Sequence, residues 1–120
     1  MTAVKDTAIP HLRMRLPNRR AHELLEFEHA GFSYVAGIGR FADGRLAEIF
    51  LNAGKAGTAI ETHARDAAIT ISLLLQHGCS PDTIRHALTR NRDGSAAGPL
   101  GTLLDILDKE AAADLGCKRE

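Results

Sequence analysis

The chain has 120 residues, 44% of them hydrophobic, and its 15 lysines and arginines balance its 15 aspartates and glutamates. This length suits one domain with a single core and excludes a large multidomain enzyme. Two cysteines are too few for a disulfide framework, and no apolar run reaches the roughly 18 residues of a membrane-spanning helix. Without a secretory signal or a membrane segment, we expect a cytoplasmic protein.

Positive charge is concentrated near the N-terminus. Within residues 1–20 one acidic residue, Asp6, stands against five basic ones: Lys5, Arg13, Arg15, Arg19 and Arg20. We predict a mobile basic arm over residues 1–15, a single domain over residues 16–116 and a short tail over residues 117–120. Two interpretations of the arm stay open, a phosphate-binding segment and an ordinary solvated terminus.

Alternating polar and apolar residues predict three strands, over residues 24–28, 32–41 and 46–52, although the segment around residues 24–28 is also compatible with a helix turn. Asp43-Gly44 predicts a two-residue hairpin turn, which pairs Phe41 with Leu46 and Gly39 with Glu48. The face expected to cover the core consists of Tyr34, Ala36, Ile38, Ala47, Ile49 and Leu51.

The outer face of this hairpin combines glycines with large side chains: Gly37, Gly39, Phe41, Leu46, Glu48 and Phe50. The glycines either let neighbouring side chains lie over the backbone or leave room for a ligand, with Glu48 as a candidate polar site.

Residues 58–78 show the longest amphipathic pattern and predict a central helix. Its apolar stripe consists of Ile60, Ala64, Ala67, Ala68, Ile71, Leu74 and Leu75. Thr58 and Glu61 predict a capping box, and Gly78 predicts the helix end. Ile69 and Leu73 lie on the opposite side and need a separate cover, from the last helix or from a second copy of the chain.

Two shorter patterns complete the chain. Ser80 and Pro81 begin a helix that reaches Thr89 or Arg90, and Pro99 begins a last helix that ends near Gly116. We therefore predict an α+β domain: a three-stranded antiparallel meander packed against a long central helix and followed by two further helices.

Several of these segments, in this order, resemble the TSCPD domain, best known from the C-terminal end of cobalamin-dependent ribonucleotide reductases. They are LPNRR, GRFADGRLAEIFLNAGKAG, SLLLQHG and SPDTIRHALTR, and the ending DGSAAGPLGTLLDIL resembles small stand-alone members. The resemblance covers residues 16–108. It implies the fold, and it implies cobalamin only through a larger reductase, so we expect this chain itself to bind no cofactor.

Nothing in the sequence predicts a catalytic centre. Cys79 and Cys117 do not form the C-x-x-C pair that the reductases use, and the histidines lack the spacing of metal ligands. We assign no catalytic residue and no metal ligand. If the chain takes part in an enzyme, the resemblance implies a ribonucleoside-diphosphate reductase.

Arginines are the strongest candidate site residues, because guanidinium groups bind phosphates through paired donors. We place Arg19, Arg20, Arg40 and Arg45 on a candidate phosphate or partner surface, and Arg90 and Arg92, which follow the second predicted helix, could join it if the fold brings them together. The competing interpretation is a set of salt bridges with Glu23, Glu26, Glu28 and Glu48.

Three functions follow: an accessory or regulatory binding module, a nucleotide or nucleic-acid binder, and a detached component of a reductase that serves deoxyribonucleotide synthesis. We also predict a homodimer that buries either Ile69 and Leu73 or the outer sheet face around Phe50.

Overall fold

The computed structural model describes residues 12–17, 22–53 and 57–119, without the side chains of residues 114–119. Three strands, β1 (Glu23–His29), β2 (Phe32–Arg40) and β3 (Leu46–Ala53), form an antiparallel sheet in the order β1-β2-β3. Three helices follow: α1 (Ala59–Gln76), α2 (Pro81–Ala87) and α3 (Pro99–Arg119). The predicted α+β meander is confirmed.

The core lies between one face of the sheet and the helices. All six side chains predicted for the core face are buried: Tyr34, Ala36, Ile38, Ala47, Ile49 and Leu51. Phe27 of β1 extends this face and stacks on Tyr34, with 5.4 Å between the ring centroids. Period-two alternation was therefore sufficient to predict which face of the hairpin is buried.

α1 begins and ends as its sequence predicts. The Thr58 hydroxyl accepts a hydrogen bond from Glu61 N–H at 3.2 Å, and Glu61 pairs with Arg65 at 2.8 Å. At the other end, Gly78 adopts φ +97°, and Cys79 N–H donates to Leu74 O at 3.0 Å. These bonds satisfy backbone groups that a helix end would otherwise leave unpaired.

α1 also covers the free edge of β3 with polar side chains. Ser72 Oγ accepts from Ile49 N–H at 2.8 Å and donates to Ile49 O at 3.1 Å. Gln76 Nε2 donates to Ala47 O at 3.2 Å. Edge strands carry unpaired backbone groups that favour association with other strands. These three bonds satisfy part of that edge within the chain.

The rotation of α1 differs from the prediction. Ala64, Ala68, Ile71 and Leu75 are buried as expected, and Ala67 is half-buried, whereas Ile60 and Leu74 are exposed. Contact with the β3 edge turns the helix toward Ser72 and Gln76. One flank of the predicted apolar stripe therefore faces away from the core.

The predicted two-residue hairpin loop is wrong. Gly44 N–H donates to Phe41 O, Phe41 N–H donates to Arg45 O, and Gly44 adopts φ +93°, which together describe a three-residue loop. Asp43 favours this geometry, because its Oδ1 accepts the Arg45 backbone N–H at 3.0 Å.

The pairing next to the loop changes accordingly. Gly39 pairs with Glu48 as predicted, but a bulge after Gly39 pairs Arg40, instead of Phe41, with Leu46. Leu46 belongs to the buried core cluster, so its predicted place on the outer apolar face is wrong.

The last two helices pack against the sheet and each other. α2 has Ser80 as its N-cap and Pro81 as its first residue, and it ends at Ala87, before the predicted Thr89 or Arg90. α3 buries Leu100, Leu103 and Leu104 in the core.

The predicted end of α3 near Gly116 is wrong, because the helix continues to Arg119. The last helix is also one of the two possible covers considered above for Ile69 and Leu73. Because α3 packs toward β1 and the core, it does not cover the far side of α1, where Ile69 and Leu73 remain 49% and 40% exposed.

Candidate functional site

Arg40 and Arg45 line one cleft of about 440 Å³ beside the hairpin turn. Arg40 Nε donates to Glu23 Oε1 at 3.0 Å, and Arg40 Nη1 donates to Gly44 O at 3.1 Å. Arg45 Nε donates to Asp43 Oδ2 at 2.6 Å, and its guanidinium carbon lies 4.9 Å from the centre of the Phe41 ring. The structure thus brings together two of the four predicted arginines, each with a carboxylate partner.

Arg85 of α2 is a third arginine in the same cleft, and sequence analysis missed it. Asp82 lies three residues before Arg85, a spacing that predicts an ion pair on the surface of a helix. In the structure, Arg85 Nη2 lies 3.3 Å from the Asp82 carboxylate. Among the described residues, the cleft is lined by three guanidinium groups and four carboxylates, the latter from Glu23, Asp82, Asp108 and Glu110. These described side chains alone do not supply the excess of positive charge that attracts a phosphate.

Arg90 is held by a carboxylate of α3. Its Nη2 donates to Asp105 Oδ1 at 2.9 Å, and its Nη1 donates to Oδ2 at 2.5 Å, in a two-point arrangement. These hydrogen bonds lower the pKa of Asp105 below its ordinary value and raise the pKa of Arg90. Arg90 therefore connects the segment after α2 to α3, and its two terminal nitrogens are already engaged with the Asp105 carboxylate.

Glu48 is buried, although it lies on the outer face of the sheet. His22 Nε2 lies 2.8 Å from Glu48 Oε2, and the His22 ring packs against Phe50 with 5.2 Å between centroids. A Cβ at Gly39 would stand only 2.6 Å from Glu48 Cγ, so the glycine makes room for this side chain. The structure favours packing over a ligand space at Gly39, and His22 is a partner that sequence analysis missed.

The glycine at position 37 has a related role. A Cβ there would lie 3.5 Å from Phe50 Cδ2, an ordinary contact distance. Phe50 thus lies close to the Gly37 backbone, as the packing interpretation predicts.

The salt-bridge interpretation is partly right about partners. Glu23 pairs with Arg40 as this interpretation predicts; in addition, His22 lies beside Glu48, and Asp43 pairs with Arg45. Arg19 and Arg20 lie outside the described residues, so their placement on a common surface with Arg40 and Arg45 stays a prediction.

The described residues also bear on metals and membranes. Across residues 12–17, 22–53 and 57–113, the histidine, cysteine and acidic side chains form no group of three or more that could hold a metal ion. Cys79 is a half-buried free thiol, and the side chain of Cys117 is outside the described part. The helices in the described ranges lack the combination of length and apolarity needed to cross a membrane.

The outer face of the sheet exposes apolar side chains around the buried Glu48. Leu24 of β1 is 79% exposed, Val35 of β2 is 40% exposed and Phe50 of β3 is 47% exposed. The pairing of Leu24 with Gly37 and of Gly37 with Phe50 places two of them on either side of one glycine. Contiguous apolar surface of this kind is typical of an interaction site.

Comparison with known proteins identifies the relatives of this fold. The chain is 36% identical over 77 residues to the vitamin B12-dependent ribonucleotide reductase of Agrobacterium fabrum. It is 34% identical over 88 residues to the vitamin B12-dependent ribonucleotide reductase of Bradyrhizobium diazoefficiens. The chain is related to these reductases. This relationship confirms the resemblance that its motifs predict.

The shared part is short relative to the reductases. The two matches cover 64% and 73% of this chain but 6% and 7% of the reductases. No family model matches the chain, and no solved structure matches it significantly.

Proposed function

We propose that this chain is a small non-catalytic accessory module that binds a protein partner in ribonucleotide reduction. The observation that carries the proposal is the exposed apolar outer face of the sheet, formed by Leu24, Val35 and Phe50. The relationship to a short segment of much longer reductases supports the choice of partner.

The partner we propose is a reductase, which this chain would complete or regulate as a detached component. The mechanism is burial of apolar surface at a docking interface. Leu24, Val35 and Phe50 supply aliphatic and aromatic surface, and the Glu48 carboxylate of that face is buried beside His22. Glu26, which pairs with Val35, and Glu28 are exposed on the same face, and we place them at the rim of the interface. Protein interfaces commonly combine an apolar centre with a polar, solvent-accessible rim.

A homodimer is the second part of the proposal. The far side of α1, with Ile69 and Leu73, is a separate exposed apolar patch that the rest of the described chain leaves uncovered. Two-fold self-association through this patch would leave the outer sheet face free for the partner.

Nucleotide or nucleic-acid binding is the weaker alternative. Four of the described arginines, Arg40, Arg45, Arg85 and Arg90, have carboxylate partners, so a phosphate at these positions would have to displace an existing ion pair. This alternative depends on other arginines, above all Arg19 and Arg20.

Two matched double variants test the proposal. Leu24→Lys with Val35→Lys alters the outer sheet face, and Ile69→Lys with Leu73→Lys alters the far side of α1. All four side chains are at least 40% exposed, so we expect both variants to fold, which circular dichroism would check. The partner in the assay is a vitamin B12-dependent ribonucleotide reductase from the same organism, used whole and with its matching segment removed.

We expect wild type to bind the truncated reductase in size-exclusion chromatography and calorimetry. The outer-face variant should lose this binding, and the α1 variant should retain it. Light scattering should give twice the 12.9 kDa chain mass for wild type and the outer-face variant, and the monomer mass for the α1 variant. Absence of reductase binding by wild type, or equal loss in both variants, would contradict the docking proposal; a monomeric wild type would contradict the dimer alone.

A further inference from the structure

A second concavity lies on the opposite side of the sheet from the proposed docking face. It is a pocket of about 400 Å³ between the first halves of α1 and α3. Its walls are largely apolar and include Ile60, Ala67, Leu88, Pro99 and Leu100. A pocket of this size with apolar walls is typical of a small-molecule site.

Tyr34 is the buried polar side chain of this pocket. It lines the pocket, is only 4% exposed, and is held in place by its stacking on Phe27. Its hydroxyl forms no hydrogen bond with any of the residues that the structure describes. Tyrosine hydroxyls in buried positions usually have a hydrogen-bond partner, so this one has donor capacity available for a ligand.

The first turn of α3 supplies further donors at the same pocket. Gly98 precedes Pro99, and its carbonyl accepts the first helical bond from Thr102 N–H at 3.2 Å, which makes Gly98 the N-cap. A glycine cap has no side-chain acceptor. Within the described chain, the N–H groups of Leu100 and Gly101 therefore lack an acceptor, and both residues line the pocket.

The charges around the pocket decide which acceptor fits. Of the residues that the structure describes, those lining the pocket include no lysine, arginine, aspartate or glutamate, and His63 is their one imidazole. A phosphate dianion would find no guanidinium or ammonium partner among these described side chains. A single negative charge is favoured, because a helix N-terminus carries a partial positive charge equivalent to roughly half an elementary charge.

We propose that this pocket binds a small monocarboxylic acid with an apolar body. The body occupies the space between α1 and α3. The carboxylate accepts hydrogen bonds from the first-turn N–H groups of α3 and from the Tyr34 hydroxyl. This site is separate from the outer sheet face and does not depend on the proposed accessory function.

The composition of the chain offers a direct assay. Tyr34 is the single tyrosine and there is no tryptophan, so intrinsic tyrosine fluorescence reports on the pocket alone. The probes are cyclohexylacetate and its neutral analogue 2-cyclohexylethanol, which do not absorb at the excitation wavelength of tyrosine. We expect a saturable fluorescence change with the acid and about 10-fold weaker binding of the alcohol, because hydrogen bonds to charged groups are the stronger ones.

Substitutions at Gly98 give a matched pair. A Cβ at Gly98 would meet nothing within 4 Å, so both Gly98→Ala and Gly98→Asp fit the structure. The Gly98→Asp variant supplies its own carboxylate to the Leu100 and Gly101 N–H groups, so it should abolish binding while the melting temperature stays equal or rises. The Gly98→Ala variant supplies no acceptor and should retain binding.

The Tyr34→Phe variant tests the hydroxyl. Calorimetry replaces fluorescence for this variant, and we expect about 2–10-fold weaker binding of the acid. Equal affinity for acid and alcohol, binding by the Gly98→Asp variant as tight as that of wild type, or no saturable response to millimolar acid would each overturn the proposal.

Discussion

Replacing Gly39 by alanine should destabilise the domain through one contact, the overlap with Glu48. The added Cβ would lie 2.6 Å from Glu48 Cγ and 2.7 Å from Glu48 Oε2, both below any normal contact distance. The Glu48 side chain is 5% exposed and bonded to His22, so moving it breaks a hydrogen bond in a confined space.

The expected magnitude follows from these two effects. Overpacking of a buried position costs about 1–3 kcal/mol. Loss of the His22–Glu48 hydrogen bond adds about 0.5–1.5 kcal/mol. Alanine in place of glycine in a strand returns about 0.5–1 kcal/mol of backbone entropy. The net loss in the free energy of unfolding is therefore about 2 kcal/mol, within a range of about 0.5–4 kcal/mol.

Gly37→Ala is the matched control, because it lies two residues away on the same strand and the same face. Its Cβ would meet Phe50 at an ordinary 3.5 Å, so the backbone entropy gain is unopposed and we expect this variant to be more stable by about 0.5–1 kcal/mol. Urea denaturation of both variants, and of Gly39→Ala combined with Glu48→Ala, measures the coupling. Equal losses for the two glycine variants, or no relief of the Gly39→Ala loss in the absence of Glu48, would refute the reasoning.

Three further outcomes are expected. The purified chain should not reduce ribonucleotides when supplied with adenosylcobalamin and a dithiol, and substrate-dependent product that disappears on Cys79→Ser would contradict this. Arg19→Ala with Arg20→Ala should weaken polyanion binding and flatten its salt dependence if these two arginines form part of a phosphate site; unchanged binding would favour the salt-bridge interpretation. Because the bond from Arg90 lowers the pKa of Asp105 from 3.8, the stabilisation is present above that pH and lost as the pH falls below it. The difference in urea midpoint between wild type and Asp105→Asn should therefore shrink below about pH 4, and a constant difference would contradict the ion pair.

The parts of the fold that local sequence determines were predictable. Alternation placed Tyr34 and Ile49 in the core because the side chains of a strand point alternately to its two faces. Thr58 and Gly78 marked the ends of α1 because capping depends on residues within one turn of the end.

The errors arose where long-range contacts decide. Asp-Gly is compatible with a two-residue turn and with a longer loop, and the Asp43 side chain favours the longer one. The rotation of α1 depends on the bonds from Ser72 and Gln76 to the β3 edge. Neither bond has a local sequence signal, because the partners are 23 and 29 residues apart.

The candidate site shows the same division. Sequence composition identified Arg40 and Arg45 as candidates but not Arg85, and it could not assign Asp105 to Arg90, since 15 residues separate them. The pocket beside Tyr34 was missed because its defining feature is a set of donors without acceptors. Such a feature requires knowledge of every partner in space, which a sequence pattern does not supply.

Charge pairing also limits where a polyanion could bind. Basic and acidic residues are equal in number. A guanidinium group that is paired with a carboxylate, such as Arg40 or Arg90, presents no net positive charge to a polyanion. The only marked basic excess in the sequence is the four-charge surplus of residues 1–20, most of which lie outside the described part. A phosphate-binding function would therefore reside in residues 1–20, and its affinity would fall steeply with salt concentration. Docking through the apolar sheet face would be largely independent of salt concentration. The salt dependence of partner binding thus separates the two proposals without any substitution in the domain.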